Sequence, residues 1–311
     1  MKKFRAVFMG TPDFAVPCLQ RLYENHEVIA VITQPDKPRG RGQKLTPSPV
    51  KAWAAAHDLP VFQPVKIKTA EFTAKLKALK PDVMIVVAFG QILSQEILDI
   101  PQYGCINVHA SLLPRYRGAA PMQWCLINGE TKTGVTTMLM DAGLDTGDML
   151  KKAELSITPD MTLEELHDSL MELGSNLMLA TLDDLANGNL KREKQIGDSN
   201  YAPMLTKETG HIDWQKQAQA VHNLVRGLNS WPGAYTLLAG KKYKIWRTEL
   251  TGQKTAESAG TIVSADKKNG ILVAAGDELL SVCELQAPGK KKMSAADYLN
   301  GHGIELPAKF D

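Results

Sequence analysis

Two polar side chains near the middle of the chain, Asn107 and His109, are the first candidates for chemistry. The surrounding residues, from Cys105 to Ala110, are apolar enough to predict a short buried strand. Side chains two positions apart in a strand point to the same face, so the amide and the imidazole are expected to project together. Both groups can donate hydrogen bonds to a carbonyl oxygen that gains negative charge, which predicts acyl-transfer chemistry.

A carboxylate that could act on the histidine follows in the segment from Asp141 to Asp148, Asp-Ala-Gly-Leu-Asp-Thr-Gly-Asp. A nearby Asp favours the charged imidazolium, which is the better donor. The Asn-x-His pair alone is a weak indication, because a buried Asn or His is more often simply hydrogen-bonded in place. Ser111 is not expected to act as a covalent nucleophile, since no second histidine or other base accompanies it in the motif.

The composition is that of a globular protein with room for two domains. The chain has 311 residues, 44% of them hydrophobic and 23% charged, with a net charge of +2. So small a net charge does not by itself indicate a nucleic-acid binder, although local clusters could still serve one.

Cysteine spacing and hydropathy predict a reducing, cytoplasmic location without a metal site or a membrane anchor. Four cysteines lie far apart, at Cys18, Cys105, Cys125 and Cys283, so neither a zinc site nor a disulfide framework is indicated. The apolar run from Ala6 to Met9 is too short for a signal peptide, and no later run approaches the roughly eighteen residues of a membrane span.

The first part of the chain predicts an α/β fold: a Rossmann-like, mainly parallel sheet with helices on both faces. The expected strands are Arg5–Met9, Val28–Thr33, Asp82–Ala88, Gly104–His109 and Val135–Met140. The unbroken apolar run in the third of these predicts a central strand. Ligands of such sheets bind at the carboxyl ends of strands, so the loops after Ala88, Ala110 and Met140 are expected to converge on one crevice.

The rest of the chain predicts a second, smaller domain. A helix is expected from Thr162 to Leu185, then an exposed connector from Lys191 to Thr206, then a helix from Ile212 to Leu228. Short strands follow at Ala234–Leu238, Lys242–Arg247, Gly260–Ser264, Gly270–Ala274 and Leu279–Leu285, which suggests a C-terminal small β-barrel of the oligonucleotide-binding type (OB-like). The expected domains are 1–189 and 207–311, with a linker at 190–206.

Positive charge is concentrated in two places. The segment from Gln34 to Val50 is rich in Pro, Gly and cations, and is expected to be a long structureless loop that grips a polyanion, although an idle insertion is the alternative. Residues 206–311 carry 14 Lys and Arg against 11 Asp and Glu. The clusters Lys241–Arg247 and Lys290–Lys292 predict contacts with RNA phosphates through Lys241, Lys242, Arg247, Lys290 and Lys291, with solvated surface as the alternative.

Together these motifs resemble the folate-dependent formyltransferases. The resemblance lies in N-V-H-x-S-L-L-P from Asn107, R-Y-R-G-A-A-P from Arg115 and D-x-G-L-D-T-G-D from Asp141. It narrows to the methionyl-tRNA formyltransferase family through Q-P-D-x-P-x-G-R-G-x-K-L-x-P-S-P-V-K, from Gln34 to Lys51. The match extends over nearly the whole chain, with no departure at a catalytic position.

The resemblance implies an enzyme that moves a formyl group from 10-formyltetrahydrofolate to the α-amine of initiator methionyl-tRNA. It implies that Asn107 and His109 stabilise the oxyanion, while Asp145 keeps His109 charged and helps to relay the amine proton. It also implies tRNA contacts from the insertion, which carries Arg41 and Lys44. The implied folate contacts are Phe89, Gly90, Ile92, Leu93, Ser111, Leu112, Leu113, Pro114, Asp141 and Gly143. No metal and no obligatory protein partner are expected.

Two other functions stay open. A formyltransferase for a small amine, such as glycinamide ribonucleotide or an amino sugar, or a formyltetrahydrofolate hydrolase, would share the three catalytic residues without requiring the cationic insertion. A non-catalytic RNA-binding protein would use the barrel alone. Nicotinamide binding at Gly10 is not expected, because the turn lacks the further glycines of the dinucleotide motif.

Overall fold

The computed structural model describes residues 2–39 and 44–311. The chain forms two compact units, each built from more than one stretch. The first comprises Met1–Gly118, Lys132–Ser156 and His167–Tyr201, and the second comprises Ala119–Thr131, Ile157–Leu166 and Ala202–Asp311. The functional domain limits expected from the sequence, at 189 and 207, stay a prediction.

The strands and helices follow one another along the whole chain. The strands are β1 Arg5–Gly10, β2 Glu27–Ile32, β3 Lys37–Arg39, β4 Lys44–Thr46, β5 Val61–Phe62, β6 Val83–Val87, β7 Cys105–His109, β8 Arg117–Gly118, β9 Lys132–Leu139, β10 Met149–Ser156, β11 Tyr201–Ala202, β12 Ala234–Leu238, β13 Lys241–Lys254, β14 Thr261–Asp266, β15 Gly270–Ala274, β16 Glu278–Gln286, β17 Met293–Ser294 and β18 Ala308–Lys309. The helices are α1 Val16–Asn25, α2 Pro49–Ala56, α3 Ala70–Leu79, α4 Gln95–Leu98, α5 Pro121–Ile127, α6 Leu163–Ala186, α7 Ala218–Gly227 and α8 Ala295–Gly301.

The sheet of the first unit is mainly parallel, which confirms the expected fold class. Its order is β10-β9-β7-β6-β1-β2-β5, with parallel pairing from β7 across to β5. Strand β6 is central and buried along its whole length, as its unbroken apolar run predicts. Its residues Met84 and Val86 share a hydrophobic core with β1 and β2 and with Phe89.

Strand β9 runs antiparallel to β7, and this corrects the prediction that three loops leave the same edge of the sheet. Leu139 pairs with Ile106, and Thr136 pairs with His109. The carboxyl end of β9 therefore lies beside the amino end of β7, opposite to the edge expected for the loop after Met140. Apolar runs predict a strand but carry no information on its direction, which is why the sequence misled here.

Strand β10 was not expected from the sequence. It pairs antiparallel with β9 at the edge of the sheet, and beyond its first two residues alternate side chains are exposed. Its segment Lys-Lys-Ala-Glu-Leu-Ser contains no β-branched or aromatic residue, so it lacks the composition typical of strands. Pairing with β9 supplies the stability that its own residues do not favour.

Helix α6 confirms the predicted helix 162–185 to within a residue at each end. Thr162 and Glu165 form a capping box, in which the Thr162 N–H donates to Oε2 of Glu165 at 2.8 Å. Gly188 follows the helix with a φ of 71°, the left-handed geometry that ends many helices. The helix packs on the sheet at Gly174, where a Cβ would lie 3.1 Å from Cγ1 of Val108.

The cationic segment from Gln34 to Val50 is not structureless, contrary to the prediction. Strands β3 and β4 form an antiparallel hairpin in which Lys37 pairs with Thr46 and Pro38 pairs with Leu45. Pro, Gly and Lys are depleted in strands, so composition alone argues against this hairpin. Backbone hydrogen bonds between the two arms form regardless of side-chain type. Residues 40–43, which come between the two strands in the sequence, lie outside the described part of the chain.

The second unit is built around a curled antiparallel sheet, of the order β12-β13-β16-β15-β14-β18. All five expected strands are present, and β13 is much longer than expected. The segment from Ala308 to Asp311 bridges the two edges: Ala308 pairs with Ile262 of β14, and the Asp311 N–H donates to the Leu237 carbonyl of β12 at 3.0 Å. This curled sheet is consistent with the expected OB-like class.

Helix α7 begins at Ala218 rather than at Ile212, so the predicted start was wrong. The Ile212 N–H donates to the Tyr235 carbonyl at 2.8 Å, and the Trp214 indole donates to Thr236 at 3.0 Å. These contacts draw the apolar residues before the helix onto β12. The carboxylate of Asp277 accepts from the Ala218 N–H at 2.8 Å and satisfies a donor in the first turn.

Among the residues that the structure describes, no helix is long and apolar enough to cross a membrane. None of the four cysteines, all of which are described, forms a disulfide.

Gly134→Ala is expected to destabilise the first unit. A Cβ at this position of β9 would overlap the backbone carbonyl oxygen of Ala153 in β10 and approach Cδ2 of Leu112 to 2.7 Å. A backbone atom can move only if the strand shifts, so the free energy of unfolding should fall by about 1–3 kcal/mol, as for other overpacked sites. Gly303→Ala is the control, since its added methyl meets nothing within 4 Å. Equal denaturant midpoints for the two variants would contradict this account.

Candidate active site

Strand β7 presents Asn107 and His109 together, as the sequence predicts. Both are nearly buried, with 9% and 6% of their surface exposed. Val108 points to the other face of the sheet, toward Gly174 of α6. The two-residue period of the strand thus sends the apolar side chain to the helix and the two polar ones to the candidate site.

The His109 ring is held between two oxygen atoms. Its Nε2 lies 2.9 Å from the carbonyl oxygen of Tyr116, and because a carbonyl can only accept, Nε2 carries a proton in this contact. Its Nδ1 faces the carboxylate of Asp145, with 3.7 Å to Oδ2. That separation is longer than a hydrogen bond but close enough for an ion pair. The carboxylate therefore attracts the ring most strongly when the ring is charged.

Asp145 reaches His109 from an unusual backbone conformation. Its φ is 54°, in the left-handed region that residues other than glycine seldom adopt. The Gly118 N–H donates to its Oδ2 at 2.8 Å. At Gly147, just beyond, an added Cβ would overlap the Leu139 carbonyl oxygen, so the loop lies tight against the end of β9. Strand β9 ends beside the amino end of β7, whereas His109 is at the carboxyl end, so this loop must return along the strand to bring the carboxylate to the histidine.

Asn107 is 9% exposed, and its side-chain amide makes no hydrogen bond with a described residue. Among the described residues the only buried side-chain nitrogen or oxygen without a partner is Oε1 of Gln123, so the Asn107 amide keeps contact with solvent. Next to a histidine and a carboxylate, such an amide suits a ligand that brings its own hydrogen-bonding atom.

The candidate folate segment from Ser111 to Pro114 is anchored by its own hydroxyl and by β9. The Ser111 hydroxyl donates to the Arg115 carbonyl at 2.7 Å. The Thr136 hydroxyl donates to the Ser111 carbonyl at 2.7 Å and accepts from the Leu113 N–H at 3.1 Å. Leu113 is buried, whereas Leu112 and Pro114 are half-buried. The contacts of Thr136 could not be predicted from the sequence, because an isolated threonine in a strand belongs to no motif.

The candidate residues from Phe89 to Leu93 differ sharply in exposure. Phe89 and Leu93 lie in the hydrophobic core, whereas Ile92 is 65% exposed. Gly90 has a φ of 83°, and a Cβ added to it would meet only the Gln34 side chain, at 3.5 Å. The backbone at this glycine is therefore little covered by other residues, while the two core side chains anchor the turn that carries it.

The candidate residues Asp141 and Gly143 lie in the exposed part of the loop after β9. One carboxylate oxygen of Asp141 accepts from the Gly143 N–H at 3.0 Å and from the Thr146 hydroxyl at 2.7 Å. The Asp141 side chain thus shapes the turn that leads to Asp145.

A hydrogen-bond network ties the base of the β3–β4 hairpin to the turn at Phe89. Gln34 Nε2 donates to the Phe89 carbonyl at 3.2 Å, and Gln63 Nε2 donates to the Gln34 carbonyl at 2.9 Å and to the Asp36 carboxylate at 2.7 Å. Lys51 binds the same carboxylate at 2.7 Å. Lys51, and then Gln63, hold the pKa of the Asp36 carboxyl below its usual value. Lys44 begins β4, and Arg41 lies outside the described residues.

The two basic clusters of the second unit meet around Trp246. Lys244 and Lys292 place their ammonium groups 5.2 Å and 5.8 Å from the centre of its ring, within the range of cation–π attraction. Strand β13 and the turn before β17 are thereby brought together, which the sequence alone could not establish.

The cations of these clusters differ in how they are engaged. Arg247 pairs with Glu249 at 2.7 Å, and Lys242 lies 3.3 Å from the ring centre of Tyr235. The side chains of Lys241, Lys290 and Lys291 are exposed and make no ion pair with the described residues. These three lysines are the cations of the clusters that are most available to an external phosphate.

The segment from Lys191 to Thr206, expected to be a plain connector, contacts the candidate site. The Gln195 Nε2 donates to the carbonyls of Asp145 and Gly147, each at 2.8 Å. The Asn200 Oδ1 accepts from the Tyr116 N–H at 2.6 Å. Sequence reasoning missed both residues, because polar side chains in an irregular segment are typical of any surface loop.

The chemistry open to this site is non-covalent acyl transfer. Ser111 donates its hydroxyl to a backbone carbonyl, and Cys105, which shares a face of β7 with Asn107, is buried. Burial raises the pKa of the Cys105 thiol to about 12, so it stays protonated and a poor nucleophile. Within residues 2–39 and 44–311, no group of three His, Cys, Asp or Glu side chains could hold a metal ion. The polar groups that the site offers to a substrate are two hydrogen-bond donors, Asn107 and His109, and the carboxylate of Asp145.

Sequence comparison connects the chain with proteins of one activity. The family model described as formyl transferase matches residues 3–182, and the model of the formyl transferase C-terminal domain matches residues 204–303. A methionyl-tRNA formyltransferase of Clostridium botulinum is 54% identical over 97% of this chain and 97% of its own length. Another, from Geobacter metallireducens, is 55% identical over 96% of each.

Solved structures share the fold at lower identity. An N-formyltransferase from Helicobacter canadensis, in complex with folinic acid and dTDP-3-aminofucose, is 21% identical, with a TM-score of 0.68 over 93% of this chain and 99% of that one. HypX from Aquifex aeolicus, in complex with tetrahydrofolic acid, is 18% identical, with a TM-score of 0.65 over 96% of this chain. The chain spans about half the length of HypX, 47%.

The two matched models cover most of the chain, and the relatives match it from end to end at more than half identity. The family expected from the motifs is thereby confirmed: the chain belongs to the methionyl-tRNA formyltransferase family.

Proposed function

We propose that this enzyme transfers the formyl group of 10-formyltetrahydrofolate to the α-amine of methionine on initiator tRNA. The observation that carries the proposal is the pair on β7: an Asn107 amide that bonds no described residue, beside a His109 ring that is held by the Tyr116 carbonyl and faces the Asp145 carboxylate. Family membership at more than half identity to methionyl-tRNA formyltransferases supports the acceptor. An amino-sugar acceptor has support only from structures near 20% identity, such as the Helicobacter canadensis enzyme, which bear on the fold alone.

The residues of the first unit fit a reduced folate. The little-covered backbone at Gly90 and the exposed Ile92 offer a surface for the pterin. The Asn107 amide bonds no described residue and can donate to the formyl oxygen. We propose that the folate also contacts the segments 111–114 and 141–143. When bound, it supplies the formyl group that is transferred.

The roles of the three candidate catalytic residues follow from their contacts. Asn107 donates its amide N–H, and His109 donates from Nδ1, to the oxygen of the formyl group as that oxygen gains negative charge. The ring cannot turn away, because Nε2 is held by the Tyr116 carbonyl. Asp145 stabilises the charged ring and takes up, directly or through one water molecule, the proton that the methionine amine loses as it attacks the formyl carbon. That proton passes to the folate nitrogen when the bond between this nitrogen and the formyl carbon breaks, and tetrahydrofolate leaves. Because these donors are fixed before the reaction, no reorganisation is needed in the transition state.

We propose that tRNA is held electrostatically by the cationic hairpin and by the clusters of the second unit. The single carboxylate of the hairpin, Asp36, is engaged by Lys51 and Gln63. We propose that Arg41 and Lys44, the cations of the same segment that the family resemblance assigns to tRNA, therefore act on phosphates rather than on this carboxylate. Exposed lysines at 241, 290 and 291 provide further positive charge for phosphates.

On this proposal residues 1–189 form the catalytic domain, 190–206 a linker, and 207–311 a tRNA-binding domain. A cytoplasmic location is proposed with it, because the four cysteines form no disulfide, as is typical of a reducing compartment.

His109→Ala, Asn107→Ala and Asp145→Asn should each lower kcat/KM by roughly 10²- to 10³-fold, the usual cost of one oxyanion-site group. The measurement is formyl transfer from 10-formyltetrahydrofolate to charged initiator tRNA, with elongator tRNA and glycinamide ribonucleotide as competing acceptors. Glu154→Gln, which removes an exposed carboxylate from β10, is the control and should retain full activity. A folded His109 variant with near-normal turnover would overturn the assigned role, and preference for the small amine would overturn the proposed acceptor.

Arg41→Ala should raise KM for tRNA and leave folate affinity unchanged, because the hairpin tip is proposed to contact RNA. Titration with tetrahydrofolate measures the second quantity independently of the first. Lys132→Ala removes an exposed cation that is already paired with Glu154, and serves as the control. If folate affinity falls in step with the use of tRNA, the hairpin belongs to the folate site and this division of roles is wrong.

The double variant Lys290→Ala/Lys291→Ala should weaken the salt dependence of tRNA binding. For B-DNA, each phosphate contact contributes about 0.9 to the magnitude of the slope of log K against log salt. If duplex RNA behaves similarly, loss of two contacts should lower the magnitude of the slope by up to roughly two. Lys267→Ala/Lys268→Ala removes two adjacent exposed lysines from the turn between β14 and β15, and is the matched control. Identical slopes for both double variants would assign Lys290 and Lys291 to solvated surface.

A further inference from the structure

The carboxamide of Gln195 occupies a bridging position beside the candidate site. Its Oε1 accepts from Nε and Nη2 of Arg117, at 3.0 Å and 2.8 Å. Its Nε2 donates to the carbonyls of Asp145 and Gly147, at 2.8 Å each. Both donor hydrogens and the acceptor oxygen are thus used within one loop system. A glutamine that serves only as exposed surface would bind water with most of these atoms.

The loop that Gln195 binds contains Asp145, whose backbone conformation is unfavourable for a residue other than glycine. Asp145 has a φ of 54°, and residues in such sparsely populated conformations persist only where their surroundings determine them. Gln195 fixes the carbonyls of Asp145 and of Gly147, on either side of Thr146. The direction of the Asp145 side chain follows from this backbone conformation.

The other contact of Gln195 acts on the same carboxylate from a different direction. Arg117 precedes Gly118, whose N–H donates to Oδ2 of Asp145 at 2.8 Å. Gln195 therefore binds the backbone carbonyl of Asp145 directly. It also binds the side chain of Arg117, the residue before Gly118, whose N–H binds the Asp145 carboxylate. Asn200 completes the arrangement, because its Oδ1 accepts from the Tyr116 N–H and its carbonyl accepts from the Arg117 N–H at 3.1 Å.

We propose that Gln195 is a positioning residue, which directs the carboxylate of Asp145 toward Nδ1 of His109. The inference deepens the proposed function and rests on it, since it assigns to Asp145 the role described above. Nδ1 and Oδ2 are 3.7 Å apart, beyond hydrogen-bond distance, so the pair has no direct bond of its own to restore a displaced loop. A misplacement of about 1 Å can lower a rate by about 10²-fold.

Two substitutions separate the donor side of Gln195 from its acceptor side. Gln195→Met has a similar length and removes both. Gln195→Glu keeps an acceptor for Arg117 and places a carboxylate oxygen where the two backbone carbonyls need a donor. If the hydrogen bonds to Asp145 and Gly147 are what matters, both variants should lose about 10- to 100-fold in kcat, with KM for folate and for tRNA changed little. Gln20→Met, at an exposed glutamine on α1, is the matched control.

A spectroscopic measurement distinguishes positioning from a general loss of structure. The ring nitrogens of His109, observed by ¹⁵N NMR in the uniformly labelled full-length enzyme, should change their chemical shifts in both Gln195 variants and not in Gln20→Met. Thermal unfolding of each variant accompanies the spectra. The proposal is overturned if kcat falls while the His109 signals stay as in the wild type, or if Gln195→Glu retains wild-type kcat and signals.

Failure of the proposed function gives a different result. In that case the wild-type enzyme would not formylate methionyl initiator tRNA at all, whereas the His109 signals would still report whether Gln195 orients Asp145. The two hypotheses are therefore tested by separate measurements on the same set of proteins.

Discussion

The position of the His109 ring is the constraint on which the rest of the site depends. The imidazole lies between the Tyr116 carbonyl at 2.9 Å and the Asp145 carboxylate at 3.7 Å. The first contact fixes which nitrogen carries the proton in the neutral ring, and it leaves Nδ1 facing the Asp145 carboxylate. Hydrogen bonds from Gly118, Gln195 and Asn200 hold the segments that carry these two oxygen atoms.

The topology of the sheet makes that task harder than it would be in a purely parallel fold. Strand β9 runs against β7, so the loop that carries Asp145 starts at the wrong edge and must return to the histidine. The return requires a left-handed Asp145, a Gly147 packed against Leu139 and hydrogen bonds from Gln195 and Gly118.

The sequence predicted the parts of the site that local patterns encode. The two-residue period of a strand places Asn107 and His109 together, and an unbroken apolar run marks β6 as central. It could not predict the direction of β9, the hairpin β3–β4 or the start of α7. These depend on backbone pairing with distant segments, and the residue types in each segment are compatible with more than one partner. The resemblance to a family supplied Asp145, which spacing alone could not connect with His109.

The residues missed by the sequence share one physical property: they act on backbone atoms. Thr136 binds the carbonyl of Ser111 and the N–H of Leu113, Gln195 binds two loop carbonyls, and Asn200 binds the N–H of Tyr116. Every residue except proline offers the same N–H and C=O, so such contacts impose no pattern on the partner segment. A motif search therefore finds residues that contact the substrate more readily than it finds the residues that position those contacts. Two of these three residues, Gln195 and Asn200, lie in the segment 190–206 that is also proposed as the linker.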